Sequence, residues 1–188
     1  MAKDLNKLTT DELGQLFPIM IVDYNPDWPG LASIEKRNII KNVGKVFISR
    51  IEHIGSTAIP GLCAKPTIDF LLEIMDITNC DFLIYQLNKI GYHFIPKPEN
   101  PSPHMMFAKG YSESGITGQT FHIHVRYPGD WDEIVFRDYL INNRNVTADY
   151  ARLKMKLATE FKNDREKYTD SKTDFIKLTT QLARNRRH

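Results

Sequence analysis

Hydrophobic and polar positions along this chain first alternate with mixed periods and then settle into a helical one. Thr9-Thr10-Asp11-Glu12 has the spacing of a capping box, with Thr9 as N-cap and Glu12 three positions on. The pattern predicts a short helix to about residue 17, ended by Pro18. Residues 19–23 read as a strand. Asn25-Pro26 and Trp28-Pro29-Gly30 mark a loop. Residues 31–42 follow as a helix stopped by Gly44. Strands are predicted over 46–54 and 67–74, a helix over 80–90 closed by Gly91, and further strands over 92–95, 104–108 and 121–127. The Pro- and Gly-rich stretches 97–103 and 110–118 read as loops between them.

From Trp131 onward the period is helical. Val146, Tyr150, Leu153, Leu157 and Phe161 form one apolar stripe, and Tyr168, Phe175, Thr179 and Leu182 define a last helix. Lys172 occupies a slot in that last stripe and Lys154 borders the preceding one. Strands with interspersed helices, then helices alone, argue an α+β fold with a mixed sheet backed by helices. The whole chain, 1–188, reads as one domain. Residues 1–18 are an N-terminal helical extension and 131–188 a C-terminal helical part.

Composition adds mainly exclusions. The chain is 41% hydrophobic and 26% charged, as expected of a soluble globular protein. A net charge of +2 gives no reason to expect a nucleic-acid or membrane partner, and no apolar run approaches the ~18 residues of a membrane span. Cys63 and Cys80 have no metal-ligand spacing. With no N-terminal signal pattern, a reduced cytoplasmic setting is expected. The basic end, Arg184-Asn185-Arg186-Arg187-His188, reads as a frayed, solvated tail.

Candidate chemistry concentrates between residues 50 and 69. The first strand breaks at Gly55-Ser56, loops through Pro60-Gly61, and re-enters a strand carrying one acid, Asp69, among apolar residues. A Gly-Ser turn at a strand end suits a phosphate, with Gly55, Ser56 and Thr57 as contacts. A strand acid is expensive to bury without a partner and can hold a divalent cation against that phosphate. Glu73 lies four strand residues on, roughly 13 Å away, too far to share an ion with Asp69. Glu52 and His53 alternate faces, so only one can face the site. Either could be catalytic, and an Arg50–Glu52 pair on a solvent face is equally compatible. His122 and His124 project to one strand face, about 7 Å apart at Cα, and could share a transition metal or shuttle a proton. A polar face of an edge strand is the plain alternative. Lys65 could neutralise phosphate or stand exposed in its loop. Lys172 could snorkel or meet an anion. Arg137 and Asp138 read as a solvated pair.

The Gly-Ser followed by a strand aspartate resembles the signature of the nucleotidyltransferase superfamily. In detail, Glu52-His53-Ile54-Gly55-Ser56-Thr57-Ala58-Ile59-Pro60-Gly61-Leu62 with Lys65-Pro66-Thr67-Ile68-Asp69 resembles the GrpB family. So do Tyr24-Asn25-Pro26-Asp27-Trp28, His122-Ile123-His124-Val125, Phe136-Arg137-Asp138-Tyr139-Leu140, Tyr150-Ala151-Arg152-Leu153-Lys154 and Tyr168-Thr169-Asp170-Ser171-Lys172. The resemblance implies a nucleotidyltransferase-like core. It also implies a phosphate compound or nucleotide as small-molecule partner, bound by Gly55, Ser56, Thr57, Lys65, Lys154 and Lys172. Asp69, His122 and His124 would hold a divalent metal (Mg or Mn, with Zn suggested by the histidines). Asp69, Glu52 and His53 would be the catalytic candidates. Some bacterial dephospho-CoA kinases carry a similar domain. The superfamily usually has a second acid two residues after the first, and here that position is Leu71. The expected activity is metal-dependent transfer of a nucleotidyl or phosphoryl group to a small-molecule acceptor. The competing expectation is a non-catalytic binding module that lost its second acid.

Overall fold

The computed structural model describes residues 8–96 and 103–186. The remainder of the expected N-terminal extension, most of the 97–103 loop and the last two residues of the basic tail lie outside them. Five strands form one mixed sheet in the order β1-β2-β5-β4-β3: β1 Ile48–Ile54, β2 Thr67–Ile74, β3 His93–Ile95, β4 Met106–Ser112 and β5 Gly115–Arg126. Among the described residues only β2 and β5 pair in parallel; the other neighbours are antiparallel.

Alternation along β2 and β5 gives the sheet two unlike faces. Ile68, Phe70, Leu72, Phe121, Ile123 and Val125 pack with α2 (Trp28–Val43) and α3 (Cys80–Lys89) into the main core. The opposite face carries Asp69, Leu71, Glu73, His122, His124 and Arg126. Four helices follow the sheet in the chain: α4 Asp132–Asn142, α5 Arg144–Glu160, α6 Arg165–Asp170 and α7 Thr173–Asn185. Their apolar stripes meet the loop after β1 in a second cluster, Ile59 and Leu62 against Leu140 and Tyr150. The fold is thus α+β, as the pattern predicts. The capping box at Thr9 opens α1 (Thr10–Leu16).

Several local expectations are corrected. Residues 19–23 form no strand: Val22 makes a single bridge to Ala64, and Ile19 donates to the Lys162 carbonyl at 2.7 Å. This segment ties a loop to the end of α5 rather than joining the sheet. Trp28-Pro29-Gly30 is not loop but the first turn of α2, where a proline's missing N–H is unneeded. The expected last helix is two, because the chain breaks at Ser171-Lys172 and Lys172 becomes the N-cap residue of α7. Leu182, placed in the apolar stripe, is exposed. The basic end is not frayed at Arg184, whose guanidinium meets Asp130 and Asp132 at 2.5 and 2.6 Å.

The largest correction is residues 110–118, which form the β4–β5 hairpin. Glycine here shapes the ladder rather than ending it. The register slips between Lys109 and Tyr111, and Gly110 sits at φ 90°, where a Cβ would lie 2.6 Å from the Gln119 carbonyl oxygen. Such a bulge re-aims the side chains beyond it. Lys109 points to the core face and pairs with Glu35 of α2 at 2.8 Å. Two residues on, Tyr111 is turned to the other face and stacks on His122.

Candidate functional site

The parallel register sets Asp69 beside His122 and Leu71 beside His124. Both histidines, two residues apart on β5, therefore lean over the same carboxylate. His122 Nδ1 is 3.1 Å and His124 Nε2 3.8 Å from Asp69 Oδ1. The donor atoms of the three residues all lie within 4.8 Å of one another, close enough to share one ion. Burial would raise the Asp69 carboxyl, but the imidazoles facing Oδ1 outweigh it and hold it below the ordinary carboxylate range. The other nitrogen of His122, Nε2, is 3.0 Å from the Tyr111 hydroxyl.

The Gly-Ser turn sits directly above this carboxylate. Gly55 has φ 72° and ψ −173°, and a Cβ there would lie 2.5 Å from Asp69 Oδ2. Only glycine lets the turn close over Asp69. The turn is pinned from below by His53. Thr57, 1% exposed, donates its one hydroxyl proton to the Thr67 carbonyl at 3.1 Å. Its contact with His53 Nε2 at 2.9 Å must then be donated by the imidazole. Burial pushes His53 down to about 4, partly offset by the Asp69 charge, which keeps it neutral at physiological pH. We expect Thr57→Val to leave the imidazole N–H and the Thr67 carbonyl short of a partner. The cost should be about 1–3 kcal/mol, read as a shifted urea midpoint with unchanged slope.

Glu52 and His53, the two catalytic candidates on β1, stand outside the cleft lining. His53 is spent on Thr57. Glu52 accepts from Arg137 at 3.0 Å, and the same guanidinium donates to the His53 carbonyl at 2.8 Å. Arg137 is therefore no solvated residue, as periodicity implied, but the clamp of α4 on β1. Glu73 is likewise structural: 3% exposed, it holds Arg50 and accepts the Gly129 N–H at 3.2 Å. Thr57 also falls outside the lining.

The three lysines come together. Lys65, Lys154 and Lys172 line the same cleft of about 880 Å³ as Gly55, Ser56 and Asp69. Lys172 Nζ is 4.1 Å and Lys65 Nζ 5.5 Å from the centre of the Tyr168 ring, and Lys154 Nζ is 4.8 Å from that of Tyr150. Lys154, 2% exposed, also donates to the Cys63 carbonyl. Among the described residues no carboxylate lies within ion-pair distance of any of the three. Burial, then the neighbouring cations, pushes Lys172 down to about 7. Lys65 falls to about 8 through burial and Arg165, and Lys154 to about 8 chiefly through burial. The Asp69 charge offsets only part of this for Lys65 and Lys172, and such a cationic cluster suits a bound anion.

Tyr111, Tyr150, Tyr168 and Arg165 were not singled out by sequence as site residues. The tyrosines look like core at helical spacing or, for Tyr111, like loop. A second cavity, of about 1160 Å³, adjoins the cleft and shares Met106, His122 and Arg165 with it. No helix of the described residues is long and apolar enough to cross a membrane.

A mixed sheet with a Gly-Ser turn over a strand aspartate is consistent with a nucleotidyltransferase-like α+β fold. The chain belongs to the GrpB family, whose profile, described as "GrpB protein", matches residues 18–182. It is 32% identical to a UPF0157 protein of Halalkalibacterium halodurans over 91% of this chain and 87% of that one. The crystal structure of conserved protein GrpB from Enterococcus faecalis superposes with a TM-score of 0.74 at 30% identity, covering 87% of this chain and 96% of that one. A dephospho-CoA kinase of Mycolicibacterium paratuberculosis is 25% identical over 92% of this chain, which spans 47% of that protein.

Proposed function

We propose that this protein is a metal-dependent enzyme of the nucleotidyltransferase type. It would bind a nucleoside triphosphate or related phosphate compound and transfer a nucleotidyl or phosphoryl group to a small-molecule hydroxyl. The observation that carries this reading is the convergence of Lys65, Lys154 and Lys172 with Gly55-Ser56 and Asp69 in one cleft. The lysines would hold the phosphate chain, and Gly55 keeps the turn close to Asp69. Asp69, His122 and His124 fit a divalent cation, since their donor atoms are mutually within 4.8 Å. A cation held there would offset charge on the transferring phosphoryl oxygens. The contacts of Glu52 with Arg137 and of His53 with Thr57 support a positioning role for both, of α4 and of the turn. The similarity to one part of a dephospho-CoA kinase is compatible with a role near phosphorylated metabolites.

One observation favours a second reading. Leu71 stands where the superfamily carries its second acid, and it is fully buried, at 0% exposure. A phosphate-binding module without turnover would need only the lysines. Calorimetric titration of ATP and tripolyphosphate into wild type, Lys65→Met and Lys172→Met separates the two. We expect binding that each substitution weakens roughly tenfold to a hundredfold, since a charge-assisted contact is worth about 1.5–3 kcal/mol. Turnover of labelled ATP with hydroxyl acceptors, abolished in Asp69→Asn, supports the enzyme. Binding without turnover favours the module, and no binding of either phosphate compound removes both.

A further inference from the structure

We infer that Asp69, His122 and His124 form a centre for a borderline transition metal such as Zn²⁺, Mn²⁺ or Fe²⁺ rather than for Mg²⁺, with Tyr111 as the residue that prepares it. The inference rests on the metal-dependent reading of this cleft. It narrows that reading to a class of ion and adds a positioning residue.

The donor set is the first ground. Mg²⁺ takes oxygen ligands in near-ideal octahedral geometry, and this face of the sheet supplies one carboxylate and two imidazoles. Leu71 is buried at 0% exposure beside His124, so the second carboxylate of a hard-ion site is absent. Glu73, the next acid on the face, is bound by Arg50 and Gly129. Imidazole nitrogens suit Zn, Fe and their neighbours.

The second ground is how Asp69 is held. Its two oxygens face different ways. Oδ1 faces both imidazoles, at 3.1 and 3.8 Å. Oδ2 is tucked under the turn, 2.5 Å from where a Cβ on Gly55 would lie. Oδ1 is therefore the oxygen set toward the two imidazoles. Two imidazoles and a single carboxylate oxygen leave coordination positions open, as metal centres that activate substrate require. The lysines line the same cleft.

The third ground is Tyr111. A metal-binding histidine usually donates its outer N–H to a fixed partner, which selects the tautomer. His122 presents Nδ1 to Asp69 and Nε2 to the Tyr111 hydroxyl at 3.0 Å, and the two rings stack 5.6 Å apart at 12°. A carboxylate only accepts, so the His122 tautomer that satisfies both contacts donates from Nδ1 to Asp69 and accepts the Tyr111 hydroxyl proton at Nε2. To free the Nδ1 lone pair for an ion, the proton must move to Nε2. A tyrosine hydroxyl permits this by rotating from donor to acceptor, with no change in net charge. The Gly110 bulge is what brings Tyr111 to this face. Phe17, edge-on to Tyr111 at 5.2 Å, packs against its ring.

The test uses the full-length protein stripped with chelator and titrated separately with Zn²⁺, Mg²⁺ and Co²⁺. We expect one equivalent of Zn²⁺ to bind, seen by calorimetry, and not to be displaced by a large excess of Mg²⁺. Co²⁺ should develop a visible ligand-field band that Zn²⁺ removes. His122→Asn and His124→Gln should each lose the band while keeping the wild-type circular dichroism. Tyr111→Phe should keep the band and weaken Zn²⁺ about 10–100-fold, an effect that mere loss of packing would not produce. Displacement of Zn²⁺ by Mg²⁺, or a Co²⁺ band surviving both histidine substitutions, overturns the inference. If the histidine variants misfold, Tyr111→Phe decides: unchanged Zn²⁺ affinity removes its positioning role, and Mg²⁺ competition on wild type judges the ion class. Tripolyphosphate binding measured on the same metal-free sample reports the phosphate site separately, so the two readings can fail independently.

Discussion

Gly55→Ala is expected to be among the most damaging single substitutions in this protein, although it adds only one methyl group. Two costs add. The backbone at φ 72°, ψ −173° lies in a region essentially reserved for glycine, worth about 1–3 kcal/mol for other residues. The new Cβ would also meet Asp69 Oδ2 at 2.5 Å, and relieving such an overlap costs about another 1–3 kcal/mol. At roughly 2–4 °C per kcal/mol for a chain of this size, the midpoint should fall by about 10 °C. The site should suffer beyond stability, because the carboxylate can escape only by leaving its place beside the histidines. Gly61 is the control. It shares a positive φ, 78°, but a Cβ there would meet nothing within 4 Å. Gly61→Ala should therefore show the backbone cost alone, with metal and phosphate binding intact. Equal melting and binding losses in the two variants would remove the steric link between turn and carboxylate.

That link was only half legible in the chain. The Gly-Ser to Asp69 spacing is a sequence pattern, and it located the turn and the acid. Why residue 55 must be glycine is a tertiary fact, visible only once β1 and β2 pair with Ile54 opposite Asp69. The His122–His124 pair was legible for the same reason as Asp69: a strand has period two, so residues two apart share a face. Which carboxylate they would meet depended on the β2–β5 register, which no local pattern states. The partner of Glu52 was not legible either. This acid has the right chemistry next to the turn, but Arg137, 85 residues on, reaches it first. Helical periodicity placed Arg137 outside the α4 apolar arc and so made it look solvated. An arginine can serve as a half-buried clamp from the flank of an arc, because its stem covers apolar surface while its head reaches across. Tyr111 was lost because Gly110, Gly115 and Gly118 look like loop punctuation, whereas here they build a bulged hairpin. Spacing alone put Lys172 in one continuous apolar stripe. The helix breaks beside it, yet its ammonium still lies over the ring of Tyr168.

The lysine cluster should make the stability of the ligand-free protein rise with pH, and a bound polyphosphate should flatten that rise. Lys172 sits near 7 and Lys65 and Lys154 near 8 in the folded chain, against an ordinary 10.5. Burial is the main cause for all three; neighbouring cations add to it, and the Asp69 charge offsets part of it for Lys65 and Lys172. Between those values and 10.5 the unfolded chain binds more protons than the folded one. Stability therefore increases as pH rises through this window. The penalty is fully present below about 7, where all three ammoniums are charged and crowded. It has gone above 10.5, where neither state is charged. An anion among the ammoniums favours their charged forms. Binding should thus take up protons between about 7 and 8, and affinity should fall as pH rises through that range. Urea denaturation of wild type and Lys172→Met across this window, with and without tripolyphosphate, measures both effects. Wild type should show the rise only without ligand. Lys172→Met should be more stable than wild type near neutral pH, show a shallower slope, and bind tripolyphosphate roughly tenfold to a hundredfold more weakly. A slope that is the same in both proteins, and indifferent to tripolyphosphate, would mean that the three ammoniums are not coupled and that the cleft is not their shared anion site.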